Sequence, residues 1–246
     1  MEIFEEIRES WHEEFLLPFS PGDGPLPVEP SPWIGRFFGL DANGVLRILT
    51  DDLAPIRHPS LAKFRDAALG YEPFALAHDY RRWAVGMIRR EQSFLYLQSP
   101  PDRGALEDII SSYSFAEHEL ILEFYSHFSG LRAGPADCGV GTFVRPEEWE
   151  LFESYGWEEE LKRFDPERKW ARSLVIYKDG QGDVILLSST SGDTVWVPLA
   201  VKPITGPFIP FTPTFASLLD TFAELSSYSG LLQDYYRWIR RPSSSS

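Results

Sequence analysis

One cysteine, Cys138, is all the chain has in 246 residues. That rules out an internal disulfide framework and a four-cysteine zinc site, and it makes a reducing cytoplasm the expected location. Long hydrophobic runs are also missing. Charges or prolines interrupt every apolar stretch before it reaches the length of a membrane span. Bases are scarce: 23 Lys and Arg stand against 37 Asp and Glu, a formal net charge of −14. Phosphate backbones need a basic surface, so direct nucleic-acid binding is not expected. The N-terminus carries Glu2, Glu5 and Glu6 where a secretory signal carries Lys or Arg. There is no G-x-S-x-G, no phosphate loop, no H-E-x-x-H and no internal repeat.

What is present is ample material for a core, with 43% hydrophobic and 15% aromatic residues. The acidity is uneven: residues 1–100 hold 15 acids and 10 bases, residues 101–246 hold 22 and 13. Such a surface speeds association with basic partners, and the same charge also serves solubility alone.

Along the chain, Ile3, Phe4, Ile7, Trp11 and Phe15 recur at helical spacing among Glu2, Glu5, Glu6, Glu9, Glu13 and Glu14. This predicts an N-terminal amphipathic helix over residues 1–17. Residues 18–32, with six prolines, read as a linker or strap. Trp33–Leu40 and Val45–Thr50, separated by Asp41-Ala42-Asn43-Gly44, read as a hairpin. Ser60 is placed to cap a helix over Leu61–Leu69. Residues 80–98 read as a second hairpin flanked by Arg81, Arg82, Arg89 and Arg90. Those arginines suit an anion, or they rim a sheet and pair with the acidic excess. Residues 33–102 thus form an N-terminal α+β extension that ends at Pro100-Pro101.

Beyond it, Leu106–Ser111 is a short helix. Ser114 and Glu117 match a capping box for a longer one lined by Leu120, Ile121, Phe124, Tyr125 and Phe128, and Gly130 stops it. Gly141–Val144 is a strand. Pro146 opens a helix in which Glu147, Glu148, Glu150, Glu153, Glu158, Glu159 and Glu160 interleave with Trp149, Phe152, Tyr155 and Trp157. Segments 173–177, 183–188 and 194–197 form an antiparallel meander, with Trp196 expected to be buried. Thr212-Pro213 opens a helix whose inner face is Phe215, Leu218, Leu219, Phe222 and Leu225. Residues 242–246 read as a disordered tail.

No motif for chemistry survives inspection. Asp179, Gln181 and Asp183 alternate like calcium ligands, but Thr190 stands where a bidentate glutamate is needed. Gly139-Val140-Gly141 lacks the third glycine of a dinucleotide fingerprint. His118 and His127 lie nine residues apart on one helix, on opposite faces. Cys138 follows Asp137, whose charge raises a thiol pKa. An enzyme with a site in the N-terminal half remains an alternative, and a polar pocket lined by His78, Asp79 and the arginines would mark it. The expectation is no catalysis, no metal and no cofactor. The acidic, aromatic segment has two readings: a solvated face with its aromatics in the core, or a patch of anchors ringed by acids that suits a basic protein. The candidate partner-binding residues are Glu147, Glu148, Trp149, Glu150, Glu153, Trp157, Glu158, Glu159 and Glu160.

The run Phe124, Phe128, Ser129, Gly130, Leu131, Arg132 resembles the helix end and turn of the SUKH superfamily. That family includes the Smi/Knr-type cell-wall regulators of yeast and many bacterial immunity proteins. Leu174–Leu187 resembles its paired strands around a Gly-Asp turn, Gly192–Trp196 its next strand, and Thr214–Asp220 its terminal helix. The resemblance spans about residues 103–226 and implies a SUKH-like domain over 103–241. It implies an α+β fold with helices packed on a mixed, largely antiparallel sheet, preceded by a strand-rich extension. It also implies non-catalytic protein binding, in bacteria the neutralisation of a toxin, often a nuclease with a basic surface. A scaffold or regulatory adaptor of the same fold is the alternative. The family assigns no catalytic residues.

Overall fold

A computed structural model describes residues 15–17, 29–78, 82–89, 93–135, 141–156, 162, 165–178, 184–189, 191, 193–197, 209–212 and 214–227. The fold is α+β, and its organising element is one sheet with ten strands among the described residues, each pairing antiparallel with the next of them in the chain. The strands are β1 (Phe15–Leu17), β2 (Glu72–His78), β3 (Trp83–Arg89), β4 (Ser93–Gln98), β5 (Arg132–Pro135), β6 (Gly141–Phe143), β7 (Leu174–Lys178), β8 (Val184–Leu187), β9 (Thr194–Val197) and β10 (Ile209–Thr212). Short connections join β2 to β4 and β7 to β9, which is why turn chemistry predicts pairings there, whereas the links β1–β2 and β4–β5 carry helices. The meander stands as expected, with Val175 opposite Leu186 and Ile185 opposite Trp196. The depth of the Trp196 side chain, the turn at 179–183 and the C-terminal tail lie outside the described residues.

The sheet does not stop at Pro100-Pro101. β4 pairs with β5 from Ser93↔Pro135 to Tyr96↔Arg132, so the strand-rich N-terminal segment and the meander share one hydrogen-bonded surface. The predicted hairpin at 80–98 is β3–β4, and β2, which has no clear signal in Glu72–His78, pairs beside it. Phe15 is not the last turn of a helix. It begins β1, opposite His78; residues 1–14 lie outside the described residues.

The predicted hairpin at 33–50 is instead two helices, α1 (Pro32–Gly35) and α2 (Ala42–Leu53). The Asp41-Ala42-Asn43-Gly44 stretch is a helix start: the Asp41 carboxylate accepts from the Gly44 amide at 2.8 Å. Val45, Leu49 and Leu53, four residues apart, are buried together, a spacing that only a helix turns to one side. α3 (Pro59–Ala68) is capped by the His58 imidazole instead of Ser60, with Pro59 at its first position; Ser60 is buried. α4 (Arg103–Ser111) starts at Asp102, whose carboxylate accepts from the Ala105 amide.

The capping box at Ser114 and Glu117 does not form. α5 spans His118–Phe128 and has no side-chain cap. The Glu117 carboxylate reaches across 98 residues to accept from the Phe215 amide at 2.6 Å, and from Ala216 at 3.3 Å, at the start of α6 (Phe215–Ser227). It closes free donors of a helix that lies far away in sequence. Glu117→Ala is therefore expected to cost about 1–2 kcal/mol through α6, with Glu117→Gln keeping part of that, as read from urea unfolding midpoints. An Ala variant of native stability would mean that Thr214, which accepts from the Ser217 amide, caps α6 unaided.

These helices and the sheet share one hydrophobic cluster running from Ile34 to Ala223. Phe124 is at its centre, within 5.7 Å, centroid to centroid, of Phe64 on α3, Tyr125 and Phe128 on α5, Phe143 on β6 and Phe215 on α6.

Candidate functional site

Residues 157–161, 163 and 164 lie outside the described residues, and over residues 146–156 the acidic segment is not a helix. It makes two short 3-10 turns, Pro146–Glu148 and Phe152–Tyr155, with Leu151 bridged to Leu174 between them. β7 explains the difference. Beyond β6 the Val144 amide donates to the Ile176 carbonyl, then the Val175 amide donates to Glu150, Phe152 to Ser173 and Glu153 to Ala171. Residues 141–153 therefore run along β7, and 145–149 form an excursion from that edge. Sheet hydrogen bonds take the backbone groups that a helix would need.

Two side chains pin the excursion. The Trp149 indole N–H donates to the Val144 carbonyl at 3.1 Å, and its ring stands edge-on to Phe115 and Tyr125, both buried. Arg145, only 7% exposed, donates from Nε to Glu147 at 2.5 Å and from a terminal nitrogen to the Ser99 carbonyl at 3.1 Å. A buried guanidinium is tolerated only when paired in this way. The result is a rigid ledge that carries Glu147, Glu148, Glu150 and Glu153.

The carboxylates are less free than their number suggests. Arg82 on the approach to β3 bridges Glu148 at 2.7 Å and lies 3.6 Å from Glu147. Arg168 holds Glu153 at 3.1 Å from a loop in which it adopts φ 53°. Asp165 fixes that loop by accepting from the Lys169 and Trp170 amides. Glu150 is exposed and has no ion pair among the described residues. Burial first, and then the Glu150 carboxylate, push the Tyr155 hydroxyl well above its ordinary pKa. These half-exposed pairs are worth about 0–1 kcal/mol each; the buried Arg145 contact holds the ledge in place.

Of the residues predicted for partner binding, the structure brings Glu147, Glu148, Trp149, Glu150 and Glu153 together. Trp149 is not a free anchor, since its ring plugs the core. Trp157, Glu158, Glu159 and Glu160 lie outside the described residues. Sequence reasoning missed Arg145 and Arg168. Arg82 belonged to the four arginines read as partners for the acidic excess, and it plays that part.

The other candidates stay dispersed. His118 approaches only its neighbour Glu119, at 3.7 Å. His127 is held below its ordinary pKa, chiefly by burial, with Glu123 and Asp52 opposing and Arg103 adding to the shift. Cys138, Asp79 and the His78 side chain lie outside the described residues. Among the described residues no three of His, Cys, Asp and Glu converge as a metal site, and no helix is long and apolar enough to cross a membrane. No family model, no curated protein and no solved structure matches this chain.

Proposed function

We propose that the chain is a non-catalytic protein-binding domain of the SUKH kind, an immunity-type cytoplasmic protein that neutralises a basic toxin. The observation that carries this reading is the ledge, where exposed carboxylates stand on backbone that Arg145 and Trp149 fix to the core. A fixed display of like charge accelerates encounter with a basic partner and loses no ordering entropy on contact. The net charge of −14 acts in the same direction. The order of elements supports it in part: the resemblance implies two helices, a strand, a tryptophan-containing helix, a meander and a last helix, and the chain follows that order with β5 and β10 added and 3-10 turns around Trp149.

One feature favours a second reading, a scaffold or regulatory adaptor of the same fold. Arg82, Arg145 and Arg168 already neutralise Glu147, Glu148 and Glu153, which suits a structural ledge with the contact elsewhere.

Charge reversal separates the two. Glu150, Glu158, Glu159 and Glu160 are changed together to Lys, leaving the carboxylates held by Arg82 and Arg145 intact. A partner captured from the native host with the unaltered chain should be basic and should associate more slowly with the reversed chain at low salt. The difference should shrink as the Debye length falls to about 8 Å at physiological ionic strength. Unchanged association would place the contact away from the ledge.

A further inference from the structure

Two half-buried serines stand between the N-terminal helices and the ledge, and each precedes a proline. Ser31, before Pro32, caps α1 with extended backbone (φ −63°, ψ 159°), and its hydroxyl accepts from the Ile34 amide at 3.3 Å. Ser99 is followed by Pro100, which disfavours helical backbone at the residue before it. The two hydroxyls share a hydrogen bond of 2.6 Å across 68 residues of chain. The Ser99 carbonyl in turn accepts from the terminal nitrogen of Arg145, whose Nε holds Glu147. α1 is anchored as well: the Trp33 indole N–H donates to Asp52 on α2 at 2.9 Å, and Arg36 bridges the same carboxylate at 2.9 Å. One hydrogen-bonded line therefore runs from α2 through α1 and the serine pair to the guanidinium that fixes the ledge.

We propose that this line is a conformational coupling: the Ser31–Ser99 contact sets how firmly Arg145 holds the ledge, so the N-terminal helices govern the rigidity of the acidic surface. Its bearing on function rests on the protein-binding reading; its structural content does not. The guanidinium is planar and stiff, so its bonds to Ser99 and to Glu147 are not independent. Release of the Ser99 hydroxyl lets the Ser99 carbonyl shift, and the grip on Glu147 shifts with it. Arg145 is only 7% exposed, so water is a poor substitute for either partner. A looser ledge must be ordered on contact, which weakens association without removing a single carboxylate. Ser31 and Ser99 are thus positioning residues for a surface that neither of them forms.

Native-state hydrogen exchange on the full chain tests the coupling. Ser31→Ala and Ser99→Ala each remove one hydroxyl and leave Arg145, the Ser99 carbonyl and every carboxylate in place. Each should speed exchange of the Glu148 and Trp149 amides, which donate to the Arg145 and Pro146 carbonyls, by about three- to tenfold, the scale of one lost hydrogen bond. Amides of β7 and β8 should keep native rates. The double variant should exchange like Ser31→Ala alone, since both changes break the same contact. Ser31→Thr keeps a hydroxyl and should restore native exchange. Native rates at Glu148 and Trp149 in both alanine variants would overturn the coupling. So would a rise confined to Ser31→Ala, which would trace to the lost α1 cap, or an equal rise in β7 and β8, which would mark a loss of overall stability. These rates are read without a partner, so no outcome here decides the protein-binding reading; the ledge's part in binding falls separately, if the charge-reversed chain associates unchanged.

Discussion

Phe124→Ala is expected to destabilise the protein by about 3–5 kcal/mol, a large share of the ~5–15 kcal/mol of a typical native state. The ring is fully buried and touches aromatic side chains from α3, α5, β6 and α6. Its removal opens a cavity that no single neighbour can fill, because each is held by a different element. Urea unfolding should show a lower midpoint with an unchanged slope. Phe124→Leu keeps most of the volume and should cost about 1–1.5 kcal/mol. A loss below that for the alanine variant would mean the four elements do not share one centre.

Gly130→Ala is the second large effect, and it has two separable causes. Gly130 ends α5 at φ +68°, a conformation that costs a side-chain-bearing residue about 1–2 kcal/mol. A Cβ there would also collide with the Gln98 carboxamide and lie 3.1 Å from Arg145 Cγ, which adds about 1–3 kcal/mol of overpacking. Gln98→Ala alone should cost little, since its buried carbonyl oxygen has no hydrogen-bond partner to lose. Combining the two should recover the overpacking part and leave the backbone part, a non-additivity that a double-mutant cycle measures. Strictly additive losses would show that Gln98 is not what the new methyl group meets.

What could be read from the sequence was what neighbouring residues decide. The meander, the apolar face of α5 and the stop at Gly130 rest on periodicity and turn chemistry, and all three stand. Local signals failed where one motif serves two structures or where the partner is distant. Asp41 before Gly44 suits a hairpin turn as well as a helix cap, and only the burial of Val45, Leu49 and Leu53 decides between them. Glu117 has the spacing of a capping box, yet its carboxylate is taken by α6. The glutamate-rich segment has helical spacing, but over residues 150–153 the edge of β7 offers its backbone better partners. The carboxylates of the candidate site were legible as a cluster. Arg145, whose guanidinium fixes them, was not, because nothing beside Pro146 in the chain marks that arginine as buried.

That one sheet unites the two halves of the chain and holds the ledge rigid can be measured most directly by native-state hydrogen exchange. Amides of β3 and β4 should exchange only through the same global opening as those of β7 and β8, with equal free energies. The Val144, Phe152 and Val175 amides, which tie the ledge to β7 or β7 to the ledge, should belong to that unit. If β2–β4 opened at much lower free energy than β7–β9, or if the Phe152 amide exchanged freely while β7 stayed closed, the ledge would not be the fixed surface on which partner binding is proposed.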